Sequence, residues 1–138
     1  MKKILVLCMS VAAVLLSAVI LYFLFGVYVL LTPHREYAME VASPSGEWVA
    51  TVYEINGGAT TGYAYEVDLH CSKFPSLTSK KVAAFYDASR GQDGAPGVVP
   101  VWTSNSTLEI KHLSAKEIEV FSPYSPWLCS DVIVFAGH

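Results

Sequence analysis

The chain begins with a long uncharged segment, and this feature limits its fold and its location most strongly. Residues 4–31 form a run of 28 positions without a charged side chain. At about 1.5 Å per helical residue the run would reach about 42 Å, more than the hydrocarbon core of about 30 Å. Lys2 and Lys3 precede it, and on its far side Arg35 is offset by Glu36. The positive-inside rule therefore predicts one transmembrane helix, residues 1–31, with a cytoplasmic N-terminus.

Two other interpretations of this segment are weaker. A cleaved signal peptide has an apolar region of about 7–15 residues followed by a small-x-small site. The run here is longer, and residues 32–36 contain no such site. A lipoprotein would need Cys8 as its lipidated residue, but Cys8 follows bulky Leu7 and comes too early for an apolar region. We therefore expect an uncleaved anchor in the cytoplasmic (inner) membrane, in contact with membrane lipid. Homo-oligomerisation stays open.

The remaining residues, 32–138, leave room for one small domain. Seven Lys and Arg residues against twelve Asp and Glu give this part a formal charge of −5. Because a phosphate backbone needs a cationic surface, nucleic acid is not expected as a partner. Pro33 ends the helix, so residues 32–42 are interpreted as a tether. The turn formed by residues 43–46 then opens an extracytoplasmic domain, residues 43–138.

The pattern of this domain predicts a mainly β fold, an antiparallel sheet or sandwich-like domain behind the transmembrane helix. In residues 63–71 the odd-numbered side chains are apolar, whereas Glu66, Asp68 and His70 share the other face, which is typical of a half-buried strand. We expect the first two strands to form a hairpin, and Pro100 to lie at an edge or an irregular position. The predicted strands are 47–55, 63–71, 81–86, 98–102, 107–112, 118–121 and 131–135.

Three short motifs together resemble a known family. They are Ser-Pro-Ser-Gly-Glu-Trp at 43–48, Gly-Ala-Thr-Thr-Gly-Tyr at 58–63, and Trp102 followed by Thr-Leu-Glu-Ile at 107–110. The chain resembles a widespread, uncharacterised family of small bacterial envelope proteins with a membrane anchor or a lipoprotein signal. The resemblance implies an envelope location and a β fold, and it implies no activity. Many of those relatives have Cys where this chain has Gly57, so a disulfide through that position would be absent here.

Cys71 and Cys129 are the two cysteines that follow the apolar run. In an oxidising compartment such a pair favours a disulfide over two free thiols. His70 next to Cys71 also allows a zinc site to be considered. The sequence lacks the close Cys-x-x-Cys spacing of structural zinc sites, so the disulfide is the prediction.

The Gly-Ala-Thr-Thr loop is the most specific candidate for a binding site. Its candidate residues are Asn56, Gly58, Thr60 and Thr61. Exposed amides and threonine hydroxyls would suit an anionic or peptidic ligand. The same residues also suit a plain connection, because glycine permits positive φ and threonine bonds to neighbouring backbone. We prefer the structural interpretation.

No motif indicates catalysis, a cofactor or a metal ion. The chain lacks a Gly-x-Ser-x-Gly elbow, and combinations of its histidines, aspartates and serines have no diagnostic spacing. Trp102, Tyr124 and Trp127 lie in or near predicted loops and suit either a contact surface or the core. We expect a non-enzymatic, membrane-anchored extracytoplasmic binding or accessory module with an envelope protein as a possible partner. A small envelope hydrolase and an immunity-type protein that neutralises an envelope-acting toxin are the alternatives.

Overall fold

The protein is described by a computed structural model that covers residues 2–31, 34–56 and 62–137. It divides into two compact units, Met1–Pro33 and His34–His138. The first unit contains helix α1 (Lys2–Leu31). Within the described part of the chain, no helix is both long enough and apolar enough to cross a membrane. The transmembrane helix stays a prediction.

The second unit is a β domain with two sheets. The larger sheet has five antiparallel strands in the order β1-β2-β3-β4-β7. Their bounds are β1 His34–Ala42, β2 Trp48–Asn56, β3 Tyr63–Cys71, β4 Lys80–Ala88 and β7 Glu117–Val120. A four-residue helix, α2 (Pro75–Thr78), lies between β3 and β4. This helix is too short to leave a periodic signal in the sequence.

The smaller sheet has three strands in the order β5-β6-β8. Their bounds are β5 Val98–Ser104, β6 Thr107–His112 and β8 Ile133–Gly137. β5 pairs antiparallel with β6, and Pro100 lies on this edge strand as predicted. β8 runs parallel to β6, so the expectation of wholly antiparallel pairing is wrong at this pair. After β6 the chain crosses to the larger sheet, where it forms β7, and then crosses back to the smaller sheet. It therefore forms β8 running in the same direction as β6.

One hydrophobic core lies between the two sheets, which confirms the mainly β, sandwich-like fold. Trp48, Tyr65 and Phe85 of the larger sheet and Leu108 and Ile110 of the smaller one are fully buried in it. Because successive side chains of a strand point to opposite faces, the apolar positions of β3 enter this core. Its charged positions face outward, where Glu66 and Asp68 pair with Arg35 and Lys81.

The tether predicted for residues 32–42 is wrong over most of its length, because His34–Ala42 forms β1. β1 pairs along nearly the whole of β2, from His34 opposite Asn56 to Ala42 opposite Val49. Its backbone satisfies amide and carbonyl groups of β2, but most of its side chains are exposed. An edge strand with few buried side chains has a weak alternation signal, so its sequence resembles that of a tether.

Candidate functional site

The predicted binding loop starts from the end of β2. Asn56 is the last residue of that strand, is exposed, and lies opposite His34 of β1 and Tyr63 of β3. Gly58, Thr60 and Thr61 lie outside the described residues. Tyr63 in turn pairs with Ala88, the last residue of β4. The ends of the predicted loop therefore lie beside the start of the connection formed by residues 89–97.

A charged cluster fixes the 89–97 connection to this end of the larger sheet. The Arg90 guanidinium donates from Nη2 to Glu54 Oε1 at 2.8 Å and from Nε to Glu54 Oε2 at 3.1 Å. The Tyr65 hydroxyl donates to Glu54 Oε2 at 2.9 Å. The guanidinium carbon also lies 4.6 Å from the centroid of the Tyr63 ring, within the range of a cation–π contact. We call these four residues the Arg90 latch.

The electrostatics of the Arg90 latch indicate a structural role. Glu54 is on the inward face of β2 and only 7% exposed, so its carboxylate needs partners to be tolerated there. Burial raises the pKa of Tyr65, and the hydrogen bond to Glu54 raises it further. The hydrogen bond to Glu54 likewise raises the pKa of Arg90. Both oxygens of Glu54 accept hydrogen bonds from these donors, so the carboxylate is tolerated at its core-facing position and joins β2 to the 89–97 connection.

A groove of about 670 Å³ lies on the other side of the 89–97 connection. Pro96, Val99 and Leu113 contribute apolar walls, and Lys111 and His112 contribute nitrogen atoms. The His112 ring packs against Phe85, with ring centroids 5.3 Å apart. None of the side chains that line the groove is a serine, threonine or cysteine. The groove therefore offers no hydroxyl or thiol nucleophile of the serine, threonine or cysteine type from its own lining.

At the opposite end of β2 and β3, a disulfide joins two loops. Cys71 is bonded to Cys129, with their Cα atoms 6.5 Å apart, within the usual span of a disulfide. This confirms the predicted pair. Because its sulfur is bonded, Cys71 cannot serve with His70 as a zinc ligand. Among the described residues no group of three His, Cys, Asp or Glu side chains lies close enough to hold a metal ion.

Further contacts fix these two loops, residues 72–79 and 122–131, to each other. The Tyr124 hydroxyl donates to the Thr78 carbonyl, and the Cys71 N–H donates to Thr78 Oγ1 at 2.8 Å. The Trp48 indole donates to Ser130 Oγ at 3.2 Å and meets the Tyr124 ring edge to face, with centroids 5.7 Å apart. The two loops are thereby held as one platform.

The Ser-Pro-Ser-Gly motif at 43–46 forms the turn that leads into β2, next to this platform. Gly46 has φ +70°, which favours glycine, and its N–H donates to the Ser43 carbonyl at 2.8 Å. The Ser43 hydroxyl accepts from the Trp48 N–H at 3.1 Å. Ser72 then donates from its side chain to the Gly46 carbonyl at 2.6 Å. The motif therefore positions Trp48 and supports the first loop of the platform.

Three large apolar side chains project from the platform into solvent. Leu77 is 76% exposed, Trp127 is 91% exposed and Phe74 is 40% exposed. We call these three residues the apolar tip. Single exposed apolar residues are ordinary on protein surfaces, but several on one fixed platform are typical of interaction sites.

Of the three loop aromatics considered from the sequence, only Trp127 is an exposed contact candidate. Tyr124 is buried, and Trp102 is partly buried with its indole donating to the Val41 carbonyl at 3.0 Å. The sequence interpretation missed Phe74 and Leu77. The predicted disulfide was the signal that could have found them, because both closely follow Cys71 while Trp127 closely precedes Cys129.

Comparison with known proteins identifies a family but no activity. No curated protein and no solved structure matches the chain. A family of unknown function, DUF5412, matches residues 1–113. The matched range includes the Arg90 latch and Cys71 and ends before Cys129 and Trp127. Since the match covers well over half of the sequence, the chain belongs to DUF5412, a family of unknown function.

Proposed function

We propose that the protein is a membrane-anchored extracytoplasmic binding or accessory module of the bacterial envelope. The apolar tip is its contact surface. The exposure of Trp127 on a disulfide-fixed platform carries this proposal. Interaction hot spots are enriched in tryptophan, and rigid presentation lowers the entropy lost on binding.

The location outside the cytoplasm is supported by two independent features. The Cys71–Cys129 disulfide suits an oxidising compartment, because cytoplasmic thiols are kept reduced. The uncharged run of residues 4–31 behind Lys2 and Lys3 favours an inner-membrane anchor with its N-terminus inside. Together they support a single-pass protein whose β domain faces outward.

A hydrolase is less well supported than a binding module. It would need a nucleophile, a base and an orienting group within mutual reach. In the described part of the domain, Glu54 is hydrogen-bonded by Arg90 and Tyr65, and the groove beside residues 89–97 has no serine, threonine or cysteine in its lining. Among the described residues of the β domain, no contact favours the immunity-type alternative.

Site-specific photo-crosslinking in native membranes tests the contact surface. A photo-reactive phenylalanine derivative replaces Trp127 in the full chain, and the same derivative at Ile133 serves as the control. Ile133 lies on β8 and is also exposed, at 57%. We expect adducts from position 127 and few from position 133. Equal or absent labelling at the two positions, with the disulfide intact in both, would contradict the proposal.

A further inference from the structure

We infer that the groove beside the 89–97 connection binds a small organic monocarboxylate that has an apolar body. This site is separate from the apolar tip, so it goes beyond the proposed function and does not depend on it. Three features support it: the fixed walls of the groove, the sign of its charge, and the apolar side chains next to that charge.

The 89–97 connection is a closed loop whose ends touch each other. The Ser89 carbonyl oxygen lies where a side chain at position 97 would begin, so only glycine fits at Gly97. Both ends are also bonded to the segment after β6. The Ser89 N–H donates to the Ser114 carbonyl at 2.7 Å, and the Leu113 N–H donates to the Gly97 carbonyl at 3.0 Å. Compact surface loops with adjacent ends are frequently functional.

Bonds within this loop hold it as a wall of the groove. The Gly91 N–H donates to the Ala95 carbonyl at 2.9 Å, and the Ala95 N–H donates to the Gln92 carbonyl at 3.2 Å. The Arg90 latch fixes the first turn of the loop to Glu54. Because the wall is already ordered, a ligand loses little entropy in arranging it. The groove volume of about 670 Å³ is also typical of small-molecule sites.

The charge of the groove favours an anion. Among the described residues its lining includes Arg90, Lys111 and His112 but no aspartate or glutamate, although residues 32–138 carry −5 in total. Arg90 is paired with Glu54 at 2.8 Å. Within the described ranges, none of the ion pairs includes Lys111, whose side chain is exposed. Lys111 therefore supplies the positive charge that a ligand would meet.

The carboxylate on the same face of β6 lies away from the groove. Glu109 and Lys111 are two positions apart on this strand, so their side chains share a face. Lys111 is opposite Val99 of β5, which lines the groove. Glu109 Oε1 lies instead where a side chain at Gly137 of β8 would begin, and β8 is on the other side of β6. Glu109 is therefore directed away from the wall that Val99 forms.

The lining of the groove also defines the class of anion. Val99 is 38% exposed and Leu113 is 59% exposed, and Pro96 adds a third apolar side chain. One lysine ammonium matches one negative charge, whereas a dianion would bring a charge without a partner. The Gln92 side chain lines the same groove, and its amide is a donor suited to a carboxylate oxygen. A carboxylate on a short apolar chain or ring combines these properties.

Methyl NMR of the full chain in lipid nanodiscs tests the inference, with 3-phenylpropionate as the probe. The methyl signals of Val99 and Leu113 report on the groove, and those of Val49, on β2 of the larger sheet, are the internal reference. We expect 3-phenylpropionate to shift the groove signals and to leave Val49 unchanged. The neutral 3-phenylpropionamide should bind at least about tenfold more weakly, because it lacks the charge-assisted hydrogen bond. Acetate should bind more weakly as well, because it lacks the apolar body.

Matched lysine variants separate the groove from general surface charge. Lys111→Gln should weaken the binding of 3-phenylpropionate about tenfold, whereas Lys111→Arg keeps the charge and should retain most of it. Lys73→Gln removes an exposed lysine at the other end of the larger sheet and should leave the affinity unchanged. All three variants should unfold at the same urea concentration as the wild type, since both lysines are exposed.

Equal affinity for the acid and its amide would overturn the inference, because charge would then not select the ligand. Unchanged binding by Lys111→Gln, or no shift of the Val99 and Leu113 signals at the solubility limit of the acid, would overturn it too. Each of these outcomes leaves the proposed function standing, because photo-crosslinking at position 127 tests a different surface.

Discussion

The Arg90 latch and the apolar tip lie at opposite ends of the same two strands, and different interactions hold them. At the latch, buried Glu54 is surrounded by donors from Arg90 and Tyr65, and its charge is offset inside the fold. At the tip, a disulfide and an aromatic pair hold the platform, but Leu77 and Trp127 are left in solvent. The comparison suggests that the polar end serves stability, whereas the apolar end has surface left for a partner.

Removal of the disulfide should have the largest effect on stability. Cys71 and Cys129 are 58 positions apart, and closing a loop of this length is worth about 4 kcal/mol in the chain-entropy model. We expect Cys129→Ala to lower the free energy of unfolding by about 2–4 kcal/mol, measured by urea denaturation. Cys8→Ala, outside the β domain, is the matched control and should change little. Equal stability of the Cys129 variant and the wild type would mean that other contacts hold the platform.

Glu54→Ala should be the next largest change, because it breaks the Arg90 latch and leaves the buried Tyr65 hydroxyl without its acceptor. We expect the free energy of unfolding to fall by about 1–3 kcal/mol. Glu66→Ala is the control, since Glu66 pairs with Lys81 at 2.9 Å on the outer face and such pairs contribute about 0–1 kcal/mol. If the two variants have the same free energy of unfolding, the Arg90 latch is no more stabilising than a surface ion pair.

Alkaline pH should weaken both ends of the β domain. Burial raises the pKa of Tyr65 and of Tyr124 above the ordinary value of 10.0. The folded state therefore keeps both protons at a pH where the unfolded chain has lost them. The two hydroxyls contribute fully to stability below the pKa of tyrosine in the unfolded chain. This contribution is lost as pH rises through the higher pKa that they have in the folded protein.

Melting temperatures between about pH 8 and about pH 11 check this expectation. They should fall above about pH 10, and the fall should be shallower in Tyr65→Phe and in Tyr124→Phe than in the wild type. The two variants also separate the contributions of the latch and the tip. The same slope in both variants and the wild type would show that neither hydroxyl governs the alkaline transition.

Leu77→Ala should have the smallest effect on stability and a measurable effect on contacts made by the platform. Because Leu77 is largely exposed, we expect its truncation to change the free energy of unfolding by less than about 0.5 kcal/mol. The yield of photo-crosslinked adducts from position 127 should fall about threefold, since an apolar side chain of the contact surface is lost. Ile133→Ala should leave that yield unchanged. A large loss of stability in Leu77→Ala would place this residue in the fold rather than at a contact.

The strands that are easiest to predict are those whose signal is local. Segments 63–71 and 107–112 match β3 and β6 at both ends, because alternating burial produces alternating polarity within each strand. β1 was missed for the opposite reason: it joins the sheet through its backbone while most of its side chains stay exposed. Backbone pairing leaves little trace in side-chain chemistry.

The candidate site was predictable only in part. The glycines and threonines of the loop after Asn56 predict a candidate binding site. Gly58, Thr60 and Thr61 lie outside the described residues, so the role of this loop stays a prediction. The latch could not be found from sequence, because Glu54 and Arg90 are 36 positions apart and neither belongs to a motif. Their ion pair depends on which strands are neighbours.

The β character of the domain and the positions of most strands follow from local patterns of polarity in the sequence, and the disulfide follows from there being two cysteines after the apolar run. Packing between distant segments sets β8 parallel to β6, adds β1 to the larger sheet and joins the loops that carry Phe74, Leu77 and Trp127. These outcomes depend on contacts between residues far apart in the chain. The free energies of many alternative arrangements differ by little, and the packing of the whole core selects one of them.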